Sequence, residues 1–115
     1  MRLVHRHDGH ERVLASDVDV ADSFLTKARG LMFRRSIPDD YALAFRFDGP
    51  GTRSLHMAFV PFAIDAVWTV EGEVTKVKRL PAWRGLGWAT ADEIYELPAG
   101  AADGVEPGHE VALVD

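Results

Sequence analysis

Residues 64–80 read Ile-Asp-Ala-Val-Trp-Thr-Val-Glu-Gly-Glu-Val-Thr-Lys-Val-Lys-Arg-Leu. Two runs rich in β-branched residues flank Glu71-Gly72, and a short glycine-containing pair between such runs is typical of a β-hairpin turn. The stretch therefore predicts two antiparallel strands, Ile64 to Val70 and Glu73 to Leu80.

The register of this hairpin follows from the length of its loop. A two-residue loop places Asp65 opposite Lys78 and Trp68 opposite Thr75. A three-residue loop would shift every one of these pairs, so the register depends on the turn alone.

The same turn signal occurs near the N-terminus, at Asp8-Gly9. Both central positions of a type I′ turn need a positive φ, which Asp-Gly accommodates. The signal predicts an N-terminal hairpin over residues 1–15, in which Arg6 lies opposite Glu11 as a favourable cross-strand ion pair.

The chain between and beyond the hairpins contains further short strands and one helix. Asp22 or Ser23 is suited to cap a short helix over about residues 23–29, and Gly30 fits the left-handed position that ends it. The predicted strands and turns are a strand from Ala15 to Val20, an alternating strand from Tyr41 to Phe47, a turn at residues 48–51, a strand from Arg53 to Val60, a loop from Pro81 to Ala89, a strand from Glu93 to Leu97, a compact turn from Pro98 to Gly104, and a strand from Val111 to Val114.

Many short strands separated by turn signals predict a mainly β fold. We expect a single domain over residues 1–115, built as a compact sandwich or partly closed barrel of mostly antiparallel strands. The helix at about residues 23–29 is its one helical element.

Composition excludes several classes of protein. The chain has 115 residues, 47% of them hydrophobic, and no cysteine, which excludes disulfide scaffolds and thiolate metal sites. A net charge of −5 argues against nucleic acid as a partner, because phosphate binding requires a basic surface. No stretch resembles a signal peptide or a membrane span, so the sequence predicts a cytoplasmic protein with no membrane partner.

Asparagine and glutamine are absent, and arginine outnumbers lysine. One explanation is a halophile, whose salt-rich cytoplasm favours an acidic, hydrated protein surface. The other explanation is GC-rich codon usage, and composition alone does not separate the two.

Three blocks of sequence together resemble a known family: Ala28 to Arg34, His56 to Asp65, and Tyr95 to Gly100. Their order and spacing are similar to those of the domain-of-unknown-function 192 family of small prokaryotic proteins, over about residues 18–114. The resemblance implies a compact, mainly β, sandwich-like fold and no established activity.

The chain departs from the family pattern at two places. Many relatives carry Trp-Met-Lys-Asn-Thr in the middle block, whereas here Met57 is followed by Ala58-Phe59-Val60. Relatives also often have Gly-Asp near the C-terminus, where this chain has Gly108-His109. Roles that depend on that lysine, asparagine or aspartate therefore do not transfer.

The first functional hypothesis is a non-catalytic ligand-binding or accessory module for an unknown small molecule or protein partner. Its groove is expected near His56, Asp65 and the loop that carries Trp83 and Trp88, because aromatic side chains beside arginine can stack on a ligand. Structural alternatives exist for each residue: Asp65 as an ion-pair partner, and the indoles as covers for an open end of the sheet. The polar contributors to the groove are Arg29, for which a structural pairing is the alternative, and Glu96.

Two alternatives remain open. A small hydrolase or lyase would use His56 with a carboxylate, Asp65 or Glu96, since imidazole titrates near neutral pH. A structural interaction domain would use an exposed strand edge. Met32 and Phe33 are expected in the core.

His5, His7 and His10 form the one candidate metal cluster. Residues two apart share a strand face, and His10 lies across the turn from His7, so three imidazoles could converge. The cluster sits at an exposed hairpin tip outside the family blocks, which favours a solvated surface. We therefore predict no metal site and no cofactor.

Overall fold

A computed structural model describes residues 1–21, 23, 27 and 29–115. Within these residues the strands form one mixed sheet in the order β2-β1-β8-β6-β5-β7-β4-β3. The prediction of a mainly β fold is confirmed. The strands are β1 Arg2–His7, β2 His10–Ala15, β3 Asp17–Ala21, β4 Tyr41–His56, β5 Ile64–Val70, β6 Glu73–Leu80, β7 Leu86–Pro98 and β8 Glu110–Val114.

The sheet is curled, but its two edges do not pair to close it into a barrel. This open, curled shape agrees with the expected sandwich or partly closed barrel. β1 comes close to β3, although the two lie near opposite ends of the strand order. All described strand pairs are antiparallel except β3 with β4, so the expectation of mostly antiparallel pairing is also confirmed.

Two apolar clusters occupy the two faces of this sheet, because side chains alternate along every strand. The inner cluster lies inside the curl and combines residues from both ends of the sheet, among them Leu3, Val20, Val67 and Tyr95. The outer cluster lies on the other face and is centred on Trp68, which is fully buried.

The predicted turn at residues 48–51 is wrong. β4 continues through it as one strand, with an irregularity in its pairing to β7 between Arg46 and Gly51. Arg53 fixes this bulge: its Nη2 donates to Gly49 O at 2.8 Å, and its guanidinium lies 4.1 Å from the centre of the Phe47 ring. Glycine and proline mark bulges as well as turns, which is why the local pattern suggested a turn.

The bulge allows the far half of the β4–β7 ribbon to fold back across the outer face of β5 and β6. The Trp68 Nε1–H donates to Arg53 O at 3.0 Å, which joins the two layers. Gly87 lies against the Trp68 indole. This second layer gives the fold its sandwich-like character.

In this ribbon one edge of β7 has no neighbouring strand, and lysine side chains of β6 donate hydrogen bonds to its backbone carbonyls. Lys78 Nζ donates to Leu86 O at 2.7 Å, and Lys76 Nζ donates to Trp88 O at 3.0 Å. Such bonds compensate backbone carbonyls that would otherwise lack a strand partner.

The predicted register of the second hairpin is wrong over most of its length. The two-residue loop is correct, but the register shifts between Trp68 and Thr69, so that Trp68 faces Lys76 and Asp65 faces Arg79. Thr75 lies at this shift, and its Oγ1 bonds to the Trp68 carbonyl at 3.2 Å. The N-terminal hairpin, in contrast, has its predicted register, including Arg6 with Glu11.

Most of the predicted helix at 23–29 lies outside the described residues. Lys27 N–H donates to Ser23 O at 3.0 Å, the spacing of a helical turn, and Gly30 has the positive φ (49°) expected after a helix. No helix in the described ranges is long and apolar enough to span a bilayer. Asp22, the predicted cap, and residues 24–26 and 28 of the predicted helix are not among the residues that the structure describes.

The close packing of the ribbon on Trp68 predicts that Gly87→Ala destabilises the protein. A Cβ at Gly87 would lie 2.8 Å from Trp68 Cη2, and a buried indole has no room to move aside. We expect a loss of about 1–3 kcal/mol in the free energy of unfolding, measured by urea denaturation.

Gly49→Ala is the matched control, since nothing lies within 4 Å of its added Cβ. Equal stability changes for the two variants would contradict the close contact between ribbon and indole.

Candidate functional site

Glu96 is a carboxyl group placed on the apolar outer face of the sheet. It pairs in register with Leu43 on β4 and Ala66 on β5, and all three side chains share that face. Glu96 is 4% exposed, and its Oε1 has no hydrogen-bond partner among the described residues.

Burial raises the pKa of Glu96 to about 8, and the positive charge of Arg34 opposes the rise only in part. Desolvation penalises the ionised carboxylate, so the neutral acid is the stable form at pH 7. A neutral carboxyl group offers one O–H donor together with acceptor oxygens.

A cavity of about 210 Å³ opens above Glu96. β4 and β7 supply its floor, and the segment around Gly30 lies over the carboxyl, so that a Cβ there would be 3.6 Å from Glu96 Oε1. The polar lining residues are Lys27, Arg29, Ser54, His56 and Glu96.

His56 ends β4 at the edge of this cavity and is exposed. Its Nδ1 accepts the backbone N–H of Ala58 at 3.3 Å. The neutral imidazole therefore carries its proton on Nε2, which leaves an N–H donor for a ligand. Within the described part of the chain, His56 forms no hydrogen bond with a carboxylate.

Arg29 and Lys27 make the rim of the cavity positive. The Arg29 side chain is exposed, and its guanidinium forms no hydrogen bond or ion pair with any other described residue. The Arg29 backbone carbonyl accepts the N–H of Met32 at 2.9 Å. Lys27 Nζ lies 4.6 Å from the centre of the Phe47 ring. A second cavity of about 390 Å³ shares Arg29 and Gly30 with the first and is also lined by Arg34.

Asp65 is placed elsewhere and its carboxylate is occupied. Oδ1 accepts Arg79 Nε at 2.8 Å, and Oδ2 accepts the backbone N–H groups of Gly100 and Ala102 at 2.9 and 3.1 Å. Asp65 is buried and does not line the cavity of Glu96. Its contacts tie the 98–104 turn to β5 and β6.

Trp83 and Trp88 are both more than half exposed, at 59% and 56%, so neither indole is folded away to cover the sheet. Trp88 belongs to β7 and pairs directly with Ser54, a cavity residue. Trp83 lies on the preceding loop, where its backbone N–H donates to Val60 O at 3.0 Å.

The expectation that Phe33 is a core residue is wrong. Its side chain is 66% exposed and stacks on Phe59, with 5.1 Å between the ring centres. Both residues have a positive φ, 68° and 62°, and Phe33 N–H donates to Phe59 O at 2.8 Å. Met32, by contrast, packs partly buried against the outer cluster.

The histidines of the N-terminal hairpin meet a fourth histidine, His109, which the sequence did not predict. His5 Nε2 and His109 Nδ1 are 2.8 Å apart, and the His7 and His109 rings stack at 3.6 Å. Burial, and then the nearby His109, Arg12 and His7, lower the pKa of His5.

This histidine cluster has no metal-binding arrangement in the structure. Across residues 1–21, 23, 27 and 29–115, no group of three or more His, Asp or Glu side chains is placed to hold a metal ion. His10, the third member of the predicted set, lines the same shallow cavity as His5, His7 and His109.

Sequence reasoning identified Arg29, His56 and Glu96, and the structure brings these three to one cavity. It missed Lys27 and Ser54. Lys27 falls within the predicted helix over about residues 23–29, and nothing in its sequence neighbourhood marks it as a cavity residue. Ser54 carries no local signal either, because its place in the cavity follows from the long-range pairing of β4 with β7.

The fold and the cavity define a class: a small, mainly β protein whose open, curled sheet carries a charged cavity above a buried acid. The chain belongs to the DUF192 family, described as "Uncharacterized ACR", whose model matches residues 4–113. The predicted family resemblance is thus confirmed over nearly the whole chain.

Two solved structures share the fold. A protein of Sinorhizobium meliloti 1021, provisionally described as a transcription regulator, is 20% identical with a TM-score of 0.85, covering 96% of this chain and 91% of the other. A protein of unknown function from Novosphingobium aromaticivorans DSM 12444 is 19% identical with a TM-score of 0.81, covering 97% and 84%. At these identities the likeness shows the fold alone. No curated protein matches the chain.

The buried acid predicts an unusual dependence of stability on pH. The folded-state pKa of Glu96 is raised to about 8, while in the unfolded chain it lies near 4.3. Unfolding therefore releases a proton between these values, and stability falls as pH rises through this window. Glu96→Gln should raise the free energy of unfolding at pH 7.5 by about 1–3 kcal/mol and should change it little below pH 4.5.

Urea denaturation across pH 4–9 measures this difference. Glu73→Gln is the control, because it makes the same side-chain change at an exposed position, where the carboxylate is solvated in both the folded and the unfolded chain. Parallel curves for the native chain and Glu96→Gln would exclude a buried neutral acid.

Proposed function

We propose that this protein is a non-catalytic module that binds a small organic anion in the cavity above Glu96. The observation that carries the proposal is the buried Oε1 of Glu96, which has no hydrogen-bond partner among the described residues. It lies beneath a rim of cations that also have no carboxylate partner there. Buried polar groups are almost always hydrogen-bonded, so a polar ligand group that bonds to this oxygen would complete the site.

The chemistry of the cavity suits an anion. Neutral Glu96 donates its O–H to one oxygen of the ligand, and the Nε2–H of His56 donates to another. Arg29 supplies positive charge and planar N–H donors, which match carboxylate geometry in particular. Lys27 adds a second positive charge at the rim.

Binding rather than catalysis is favoured by the partners of His56. A general base is usually oriented by a neighbouring carboxylate, whereas the described partner of His56 is the Ala58 backbone N–H. The alternative carboxylate, Asp65, is held by Arg79 away from this cavity.

A second candidate function is a hydrolase or lyase in which Glu96 is the general acid. It is supported by the shared cavity of His56 and Glu96 and by the raised pKa of Glu96, a property of catalytic acids. It requires turnover that both His56→Asn and Glu96→Gln abolish. If the protein binds an anion but turns over neither esters nor hydroxy acids, the catalytic function is excluded and the binding function stands.

The direct test is titration of the protein with acetate, followed by amide NMR shifts. At pH 7 the shifts should concentrate at residues around the cavity, and Arg29→Gln should weaken binding about tenfold through the loss of a charged hydrogen bond. At pH 9.5 ionised Glu96 repels the anion, so affinity should again fall about tenfold.

Arg35→Gln is the matched control, since Arg35 is exposed nearby and does not line the cavity. The proposal fails if acetate leaves the cavity resonances unmoved, or if Arg35→Gln weakens binding as much as Arg29→Gln does.

A further inference from the structure

An apolar ledge lies beside the cavity on the outer surface of the β4–β7 ribbon. It consists of Leu86 and Trp88, which are 52% and 56% exposed. Exposed large apolar side chains in a contiguous group mark binding surfaces more often than isolated ones do.

The strand register sets this ledge against the cavity. Trp88 pairs with Ser54 and Leu86 pairs with His56, and both β4 residues line the cavity. Residues directly opposite on antiparallel strands have Cβ atoms about 4.5–5.5 Å apart and project from the same face. A group bound at His56 is therefore within side-chain reach of the ledge.

The size of the cavity also indicates that a ligand extends beyond it. At about 210 Å³, it is smaller than the roughly 300–1,000 Å³ typical of sites that enclose a whole organic ligand. It has room for an anionic group and a short stem, and the remainder of a larger ligand must lie outside.

The opposite side of the mouth offers a second, less direct apolar surface. Met32 and Val60 line the cavity, and Phe33 and Phe59 follow and precede them in the chain. The Phe33 and Phe59 rings stack on each other, so their facing surfaces are already in contact. Trp88 has no ring stacked on it within the described residues, although Lys76 Nζ lies 5.4 Å from the centre of its indole.

We propose that the ligand is an organic anion that carries a flat, apolar ring, with its anionic group in the cavity and its ring on Trp88 and Leu86. This inference rests on the proposed function and names its ligand class. Indole offers a large, rigid surface for stacking at little entropic cost, and offset ring pairs add affinity beyond simple burial.

The test compares two probes that differ by a ring, acetate and phenylacetate, by NMR titration at pH 7. The native protein should bind phenylacetate at least about fivefold more tightly than acetate, with the largest shift at the indole N–H of Trp88. Trp88→Ala should remove this advantage and leave acetate affinity unchanged. Trp88 is exposed, so its replacement preserves the core.

Trp83→Ala is the matched control, because Trp83 is equally exposed but lies on the loop and not opposite a cavity residue. It should leave both affinities unchanged. The ring site is overturned if the native protein binds acetate and phenylacetate with equal affinity. It is also overturned if Trp83→Ala, and not Trp88→Ala, removes the tighter binding of phenylacetate. Either result leaves the anion site standing. Failure of both probes to bind overturns the proposed function itself.

Discussion

The return of the β4–β7 ribbon across Trp68 is the constraint on which the rest of this structure depends. The indole is fully buried, and its N–H donates to the Arg53 carbonyl, so a large apolar surface and a directional bond hold the same two layers. The bulge at residues 47–50 gives the bend, and Gly87 allows the close approach. The end of the returning β4 lines one cavity together with Arg29.

The same constraint explains how a carboxyl group persists in an apolar cluster. Strand alternation directs Glu96 to the outer face between Leu43 and Ala66, where a purely structural design would place another aliphatic side chain. The carboxyl lowers stability at neutral pH because it is desolvated and its Oε1 has no hydrogen-bond partner among the residues that the structure describes. Departures of this kind from core packing are concentrated at functional sites in proteins.

The sequence predicted features whose causes are local. Asp8-Gly9 and Glu71-Gly72 specify tight turns through their backbone conformations, and both residues of each pair have positive φ in the structure. The mainly β class follows from these turns and from alternation. The register shift at Thr75 was not predictable, because it depends on long-range contacts of the Thr75 hydroxyl. Its single proton is shared between Thr90 O on a distant strand, at 2.7 Å, and Trp68 O across the hairpin, at 3.2 Å.

The candidate site was predicted in part for the same reason. Arg29, His56 and Glu96 were found because each lies in a family block, but only the pairing of β4 with β7 and the ribbon's return place them in one cavity. Asp65 carries an equally strong sequence signal and serves a different junction. Spacing along the chain does not distinguish a residue that lines the cavity from one, such as Asp65, that holds a turn in place. The long-range pairing of the strands determines which of the two a residue becomes.

The central claim is that Glu96 is a neutral acid at the floor of an anion site, and carboxyl-carbon NMR of the glutamate-labelled protein tests it most directly. We expect the Glu96 carboxyl to titrate near pH 8, and its midpoint to rise further in saturating acetate, because a bound anion stabilises the protonated form. A midpoint near 4.3, the value of a solvated glutamate, or one that acetate leaves unmoved, would contradict the account.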